Sequence, residues 1–142
     1  MRCIAAALIA LAIVLTAPRA GAEHKVFFRY VVLGFVKDTQ GKLVRGREID
    51  VVRDKTGLVY HGATDQQGFF VIVVRLGDES DGETLTVRIG KTTARLTARF
   101  NPVNHVDERG TRVDFDGSKF VERTDAFRPT LVRYMGSGSG TH

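Results

Sequence analysis

The chain has 142 residues, a formal net charge of +5 and a single cysteine. This length is enough for one domain with a substantial hydrophobic core. The basic excess is mild and spread along the sequence, whereas tracking a phosphate backbone needs a concentrated basic face. The composition therefore disfavours nucleic-acid binding.

Residues 1–22 are predicted to be a cleaved secretory signal peptide. An apolar run at residues 4–15 is too short to cross a bilayer comfortably, and residues 20–22 form a small-x-small cleavage site, Ala-Gly-Ala. We therefore expect export, with a mature chain that begins at Glu23. The mature chain then has a net charge of +3 and no further run that could cross a membrane.

The only cysteine, Cys3, is lost with this leader. The mature protein is therefore expected to contain no disulfide, no thiol nucleophile and no thiolate metal site. An exported chain without disulfides suits a bacterial periplasm. The expected location is thus periplasmic or extracellular.

Residues 23–123 are predicted to form one all-β domain, because apolar and polar positions alternate between short turns. Each of three turns begins with an aspartate and has a glycine three residues later, starting at Asp38, Asp54 and Asp65. Aspartate can accept a hydrogen bond from the backbone two residues on, and glycine tolerates positive φ. The predicted strands between these turns cover residues 30–36, 48–53, 58–63 and 69–76. The first is apolar at nearly every position, which is typical of a strand buried on both faces.

The clearest hairpin follows an acidic loop at residues 77–82. Residues 84–89 alternate, Gly90-Lys91 suits a type II′ turn, and the alternation then resumes. Pairing Ile89 with Thr92 puts the apolar residues of both strands on one face. The opposite face carries threonines and three arginines: Arg88, Arg95 and Arg99.

The chain after the hairpin is predicted to be less regular. Residues 101–112 are expected to be a loop, with a last short strand at residues 113–115. Residues 124–142 form a separate C-terminal segment with one apolar stripe at helical spacing: Phe127, Leu131, Tyr134 and Met135. We expect a short helix, capped by Thr124 or Asp125, and then a flexible Gly/Ser tail. The stripe is expected to pack onto the sandwich; the alternative is a partner-docking or membrane-surface helix.

One stretch of the chain carries a family resemblance. It contains two motifs, Gly34-x-Val36-x-Asp38-x-x-Gly41-x-x-Val44-x-Gly46-x-x-Ile49-x-Val51 and Gly62-x-Thr64-Asp65-x-x-Gly68-x-Phe70. With these motifs the chain resembles the carboxypeptidase regulatory-like domain, a transthyretin-like antiparallel β-sandwich of about seven strands. The similarity covers residues 30–100, and Leu43 stands where many members have proline. The resemblance implies a non-catalytic accessory or binding module of an exported protein.

The function expected from these features is protein–protein binding in the cell envelope, with a partner that the sequence does not identify. No catalytic residue and no cofactor is predicted. Arg88, Arg95 and Arg99 are the candidate partner-facing residues, because a basic face can dock an acidic partner or an anionic lipid headgroup. The simpler alternative is a solvated face that keeps the protein soluble.

Two other functions stay open. After cleavage, His24 would be the second residue of the chain, and the terminal amine, an amide and the imidazole could then chelate copper(II). A periplasmic copper-binding protein is therefore the second expectation. A hydrolase is the third, because the sandwich that this chain resembles is also the fold of 5-hydroxyisourate hydrolase. That family needs a histidine on its first strand, where this chain has Gly34. It also needs a C-terminal Tyr-Arg-Gly-Ser, where residues 134–137 of this chain are Tyr-Met-Gly-Ser.

Overall fold

The computed structural model describes residues 26–135, which fold into two four-stranded β-sheets packed face to face. The predicted leader, the cleavage site, His24 and the Gly/Ser tail lie outside the described residues. The strands are β1 (Phe28–Phe35), β2 (Glu48–Arg53), β3 (Leu58–Ala63), β4 (Phe69–Leu76), β5 (Thr84–Ile89), β6 (Thr92–Thr97), β7 (Arg109–Phe115) and β8 (Phe120–Glu122). A short helix α1 (Phe127–Tyr134) follows them. The predicted all-β sandwich is confirmed.

The first sheet has the strand order β4-β1-β7-β8, and the second has the order β3-β2-β5-β6. β1 pairs parallel with β7, and every other pair is antiparallel. Apolar side chains from both inner faces fill the space between the sheets, including Val32, Val51, Phe70, Val87 and Leu96. Within residues 26–135, no helix is long and apolar enough to cross a membrane.

β1 is buried on both faces, as its composition predicts. Tyr30 and Val32 point into the space between the sheets, while Val31 and Leu33 point outward and are still fully buried. The outward pair is covered by α1, whose Phe127 joins the same apolar cluster. The helix therefore gives the first sheet a second, smaller core on its outer side.

The predicted packing of α1 is confirmed for Phe127, Leu131 and Tyr134, whereas Met135 is exposed. The predicted start of the helix is wrong. A 3₁₀ turn, Thr124–Ala126, precedes the helix, and no side chain caps it. The Thr124 hydroxyl is engaged elsewhere, because it donates to Glu122 at 3.1 Å. The tight turn takes the place of a capping side chain.

The hairpin of β5 and β6 has the predicted register, with Ile89 opposite Thr92 and Leu85 opposite Leu96. Gly90 has φ of 56°, and no non-glycine residue of the described range has positive φ. A type I′ turn would need positive φ at Lys91 as well, so the type II′ turn is supported.

Two of the three predicted aspartate turns have the predicted geometry. Asp38 Oδ1 accepts the backbone N–H groups of Gln40 and Lys42, each at 2.9 Å, and Gly41 has φ of 82°. Asp65 repeats the arrangement with Gly68, whose φ is 75°. The third turn differs from the prediction: Gly57 has φ of 75°, but Asp54 Oδ1 accepts from the Thr86 hydroxyl at 2.7 Å, and the turn is closed by Gly57 N donating to Arg53 O.

The predicted loop at residues 101–112 is wrong at its end, because β7 already begins at Arg109. The first half of β7 has no apolar alternation and gains its strand structure by pairing with β1, with Val31 opposite Gly110. A Cβ atom at residue 110 would collide with the Val31 carbonyl oxygen. A long-range contact, rather than a local pattern, therefore makes this segment a strand.

Candidate functional site

The candidate site is a cavity of about 340 Å³ on the side of the sandwich where β6 is the edge strand of the second sheet. Its opposite wall comes from β7, β8 and the turn that follows. We call it the arginine cleft, and its principal residues are Tyr30, Arg95, Thr97, Arg99, Glu122 and Thr124. A neighbouring cavity of about 460 Å³ shares Arg99 and Thr124 with the cleft.

Two of the three predicted arginines meet at this cleft. Arg95 lies on β6 and Arg99 lies just beyond its end, and both are exposed. Neither guanidinium forms an ion pair with a carboxylate of residues 26–135. The cleft therefore has two positive charges that are not neutralised by the described part of the chain.

The wall opposite these arginines is a fixed polar surface. Glu122 accepts hydrogen bonds from the hydroxyl groups of Thr111 at 2.8 Å and Thr124 at 3.1 Å. Both bonds end on Oε2 of this exposed glutamate, which forms no ion pair with Arg95 or Arg99. A ligand in the cleft meets cations on one side and an already hydrogen-bonded acid on the other.

Tyr30 lies at the base of the cleft and is almost fully buried. Burial, helped by the nearby negative charge of Glu122, raises the pKa of its hydroxyl to about 12. A hydrogen bond from the Arg99 backbone lowers that pKa but offsets the increase only in part. A tyrosine hydroxyl is protonated at neutral pH even at its usual pKa, and here the proton is kept to a more alkaline pH. Tyr30 is suited to donate a hydrogen bond, not to accept a proton as a general base.

Arg88, the third predicted residue, lies away from the cleft and is neutralised. Its Nη2 donates to Asp50 Oδ2 at 2.9 Å, and His61 Nδ1 contacts Asp50 Oδ1 at 2.7 Å. Burial alone would raise the pKa of Asp50, but the hydrogen bonds from Arg88 and His61 outweigh it and lower that pKa. Arg88 and Arg95 share the outer face of the hairpin, as predicted, but Arg88 has a carboxylate partner and does not line the cleft.

A second polar cluster was missed by the sequence analysis. Arg109 is buried with its guanidinium between the rings of Phe28 and Phe100, whose centroids lie 4.8 Å and 4.2 Å from its Cζ. It donates to Asp78 Oδ1 at 3.0 Å, and His105 Nε2 lies 2.8 Å from the other oxygen of Asp78. These contacts attach the segment before β7 to the turn before β5, which indicates a structural role.

The described histidines relate to the alternative of metal binding, and Gly34 relates to the alternative of a hydrolase. No group of three or more His, Cys, Asp or Glu side chains within residues 26–135 could hold a metal ion. His61 and His105 each contact a different aspartate. A Cβ atom at residue 34 would collide with the Val113 carbonyl oxygen, so a histidine has no room there in this backbone.

No protein-family model matches the chain, and no curated protein is similar to it in sequence. The β-sandwich is thus established by the structure, while membership of the carboxypeptidase regulatory-like family stays a prediction. The function must be argued from the site itself.

Proposed function

We propose that the protein is an exported, non-catalytic binding module of the cell envelope, and that it holds an acidic segment of a partner protein at the arginine cleft. The observation that carries the proposal is the pair of exposed arginines, Arg95 and Arg99, without an ion-pair partner in the described chain. Complementary charges across an interface speed up encounter and fix the register of the partner.

The distribution of charge around the second sheet supports this location. Arg88, the other predicted basic residue of the hairpin, already shares Asp50 with His61. Of the three predicted arginines, Arg95 and Arg99 are therefore the two whose charge no described carboxylate neutralises. An acidic partner would gain two charge-assisted hydrogen bonds there, which are stronger than neutral ones.

The surroundings of the cleft favour binding over catalysis. The Tyr30 hydroxyl is protonated at neutral pH, as an ordinary tyrosine is, and its raised pKa delays ionisation to a more alkaline pH, which makes it a still poorer proton acceptor. Oε2 of Glu122 already accepts two threonine hydroxyl groups. A hydrolytic site would need a base that is free to accept a proton from its nucleophile. Export rests on the sequence of residues 1–22, and intact mass of the periplasmic fraction tests it: we expect a mass that begins at Glu23.

Binding of a fluorescent acidic peptide to the purified mature protein tests the proposal. We expect Arg95→Glu combined with Arg99→Glu to weaken binding by about tenfold or more, equivalent to about 1.4 kcal/mol. The matched control is Arg45→Glu combined with Arg75→Glu, which changes the net charge equally at two exposed arginines outside the cleft. Equal weakening by both pairs would show that net charge alone attracts the peptide and would contradict the proposed site.

A further inference from the structure

We infer that the acidic partner segment binds as an added β-strand along the free edge of β6, with its backbone paired to Thr93, Arg95 and Thr97. This inference rests on the proposed function and specifies how the partner is held. In such strand addition, main-chain hydrogen bonds supply affinity and alternate side chains supply specificity.

The register of the hairpin determines which backbone groups of β6 are free. In a two-residue hairpin, the residues next to the turn, Ile89 and Thr92, exchange hydrogen bonds, and such pairs then alternate along the strands. Just beyond β6 the same alternation continues, because Ala98 N donates to Glu83 O at 2.8 Å. The N–H and C=O groups of Thr93, Arg95 and Thr97 consequently point away from β5.

No backbone group within residues 26–135 pairs with this edge. β6 is the last strand of its sheet, and β8 lies across the cleft without a backbone hydrogen bond to it. On the opposite side of the sandwich, the edge strands β3 and β4 approach each other more extensively than β6 and β8 do. On that side the Arg75 N–H contacts the Tyr60 hydroxyl at 3.4 Å.

The side chains along β6 define the chemistry of the added strand. Arg95 and Arg99 are four residues apart on one face, which corresponds to about 13 Å in an extended chain. A partner strand with acidic residues at the same spacing could place one carboxylate beside each arginine. We therefore expect an extended segment with two acidic residues four positions apart and β-branched residues between them.

Charge also argues against a second copy of this chain as the occupant. Antiparallel pairing of two β6 edges about Arg95 would set Arg95 opposite its own copy and Lys91 opposite Arg99. Like charges directly opposite each other destabilise a strand pair. An acidic segment has the complementary pattern, so it is the occupant that this edge favours.

The probe is the peptide Val-Glu-Val-Thr-Val-Glu-Val, measured by calorimetric titration against the mature protein. Proline at residue 97 removes one outward N–H, and edge strands tolerate proline at such positions. We expect Thr97→Pro to bind the peptide about tenfold more weakly than Thr97→Val, a reference variant of nearly the same side-chain shape that keeps the N–H. Binding to Thr97→Pro that equals binding to Thr97→Val would overturn strand addition.

A second measurement uses the unaltered protein and so does not depend on folding of the proline variant. Two peptides are N-methylated, one at residues 3 and 5 and the other at residues 2, 4 and 6. We expect one to lose binding and the other to keep it, since only one edge of an added strand faces β6. Equal affinity of both peptides would contradict the inference.

The outcomes separate this inference from the proposed function. If the arginine reversal abolishes peptide binding while Thr97→Pro and both methylated peptides bind normally, the acidic-partner function stands and strand addition is wrong. If the unmodified peptide does not bind at all, both are wrong. A dimer of the natural protein that Thr97→Pro dissociates would show that a second copy occupies the edge, and this too would overturn the inference.

Discussion

Each sheet has, on its outer face, an aspartate that contacts two basic side chains, but the two clusters differ in what covers them. On the first sheet, Asp114 is shared by Arg112 at 2.9 Å and Arg123 at 3.1 Å, and Arg112 also donates to Thr130 of α1 at 3.0 Å. On the second sheet, Asp50 is shared by Arg88 and His61, and no element within residues 26–135 lies over it.

The difference shows how burial changes the role of such a cluster. Beneath α1, the aspartate and its two arginines attach a helix to a strand and complete an apolar core around Val31 and Leu33. On the second sheet, the corresponding cluster only balances charge on an open surface. The first face is therefore covered by structure that stabilises the fold, whereas within residues 26–135 no element covers the second face or pairs with the outer edge of β6.

The largest expected effect comes from the covered face. Leu33→Ala removes a fully buried side chain beneath α1 and should lower the free energy of unfolding by about 2–5 kcal/mol. The comparison is Val59→Ala on the open face, where the side chain is half-buried and about 1 kcal/mol or less is expected. Urea denaturation measures both. Similar losses would mean that the two faces are equally covered.

The two shared aspartates should also differ. Asp114→Ala leaves Arg112 without its carboxylate partner under the helix and is expected to cost about 2–3 kcal/mol. Asp50→Ala breaks an exposed arrangement and should cost less than about 1 kcal/mol. Thermal unfolding of the two variants checks the difference. A larger loss at Asp50 would reverse the assignment of structural and open faces.

Low pH should reduce the stability of the protein through two carboxylates at the second sheet, Asp50 in β2 and Glu83 directly before β5. Hydrogen bonding to Arg53 lowers the pKa of Glu83, and contacts with Arg88 and His61 lower the pKa of Asp50 against its burial. A carboxylate with a lowered folded pKa stabilises the fold above its unfolded pKa, and this contribution is lost as the pH falls through the folded value. The free energy of unfolding should therefore decrease below about pH 4.5.

The variant Glu83→Gln separates this effect from general acid unfolding. We expect it to be less stable at pH 7 and to lose less stability between pH 5 and pH 3, because the titrating group is gone. Glu48→Gln, at an exposed glutamate without a described ion pair, is the matched control. An unchanged acid profile in Glu83→Gln would show that the Arg53–Glu83 pair does not govern it.

The sequence predicted the first six strands well because their information is local. Apolar alternation and turns such as Asp65 to Gly68 specify those strands without reference to the rest of the chain. β7 and β8 were harder, since β7 begins with Arg109-Gly110-Thr111-Arg112 and depends on pairing with β1. An unpatterned segment can become a strand when a distant partner supplies its hydrogen bonds.

The site was predictable only in part for a similar reason. The alternation of residue types placed Arg88, Arg95 and Arg99 on one face of the hairpin. It could not show that Asp50, which lies 38 residues before Arg88, would neutralise the Arg88 side chain. The burial of Arg109 likewise depends on Phe28, which is far away in sequence. Periodicity reports the direction of a side chain, whereas its partners are set by the tertiary fold.

Amide hydrogen exchange of the free protein, resolved by residue with NMR, most directly tests the claim that the second sheet has an open edge at β6. We expect slow exchange at Ala94 and Leu96, whose N–H groups face β5, and fast exchange at Thr93, Arg95 and Thr97, whose N–H groups face outward. Addition of the acidic peptide should slow the second set. Equal protection of all five amides in the free protein would contradict the account, because the edge would then already be paired.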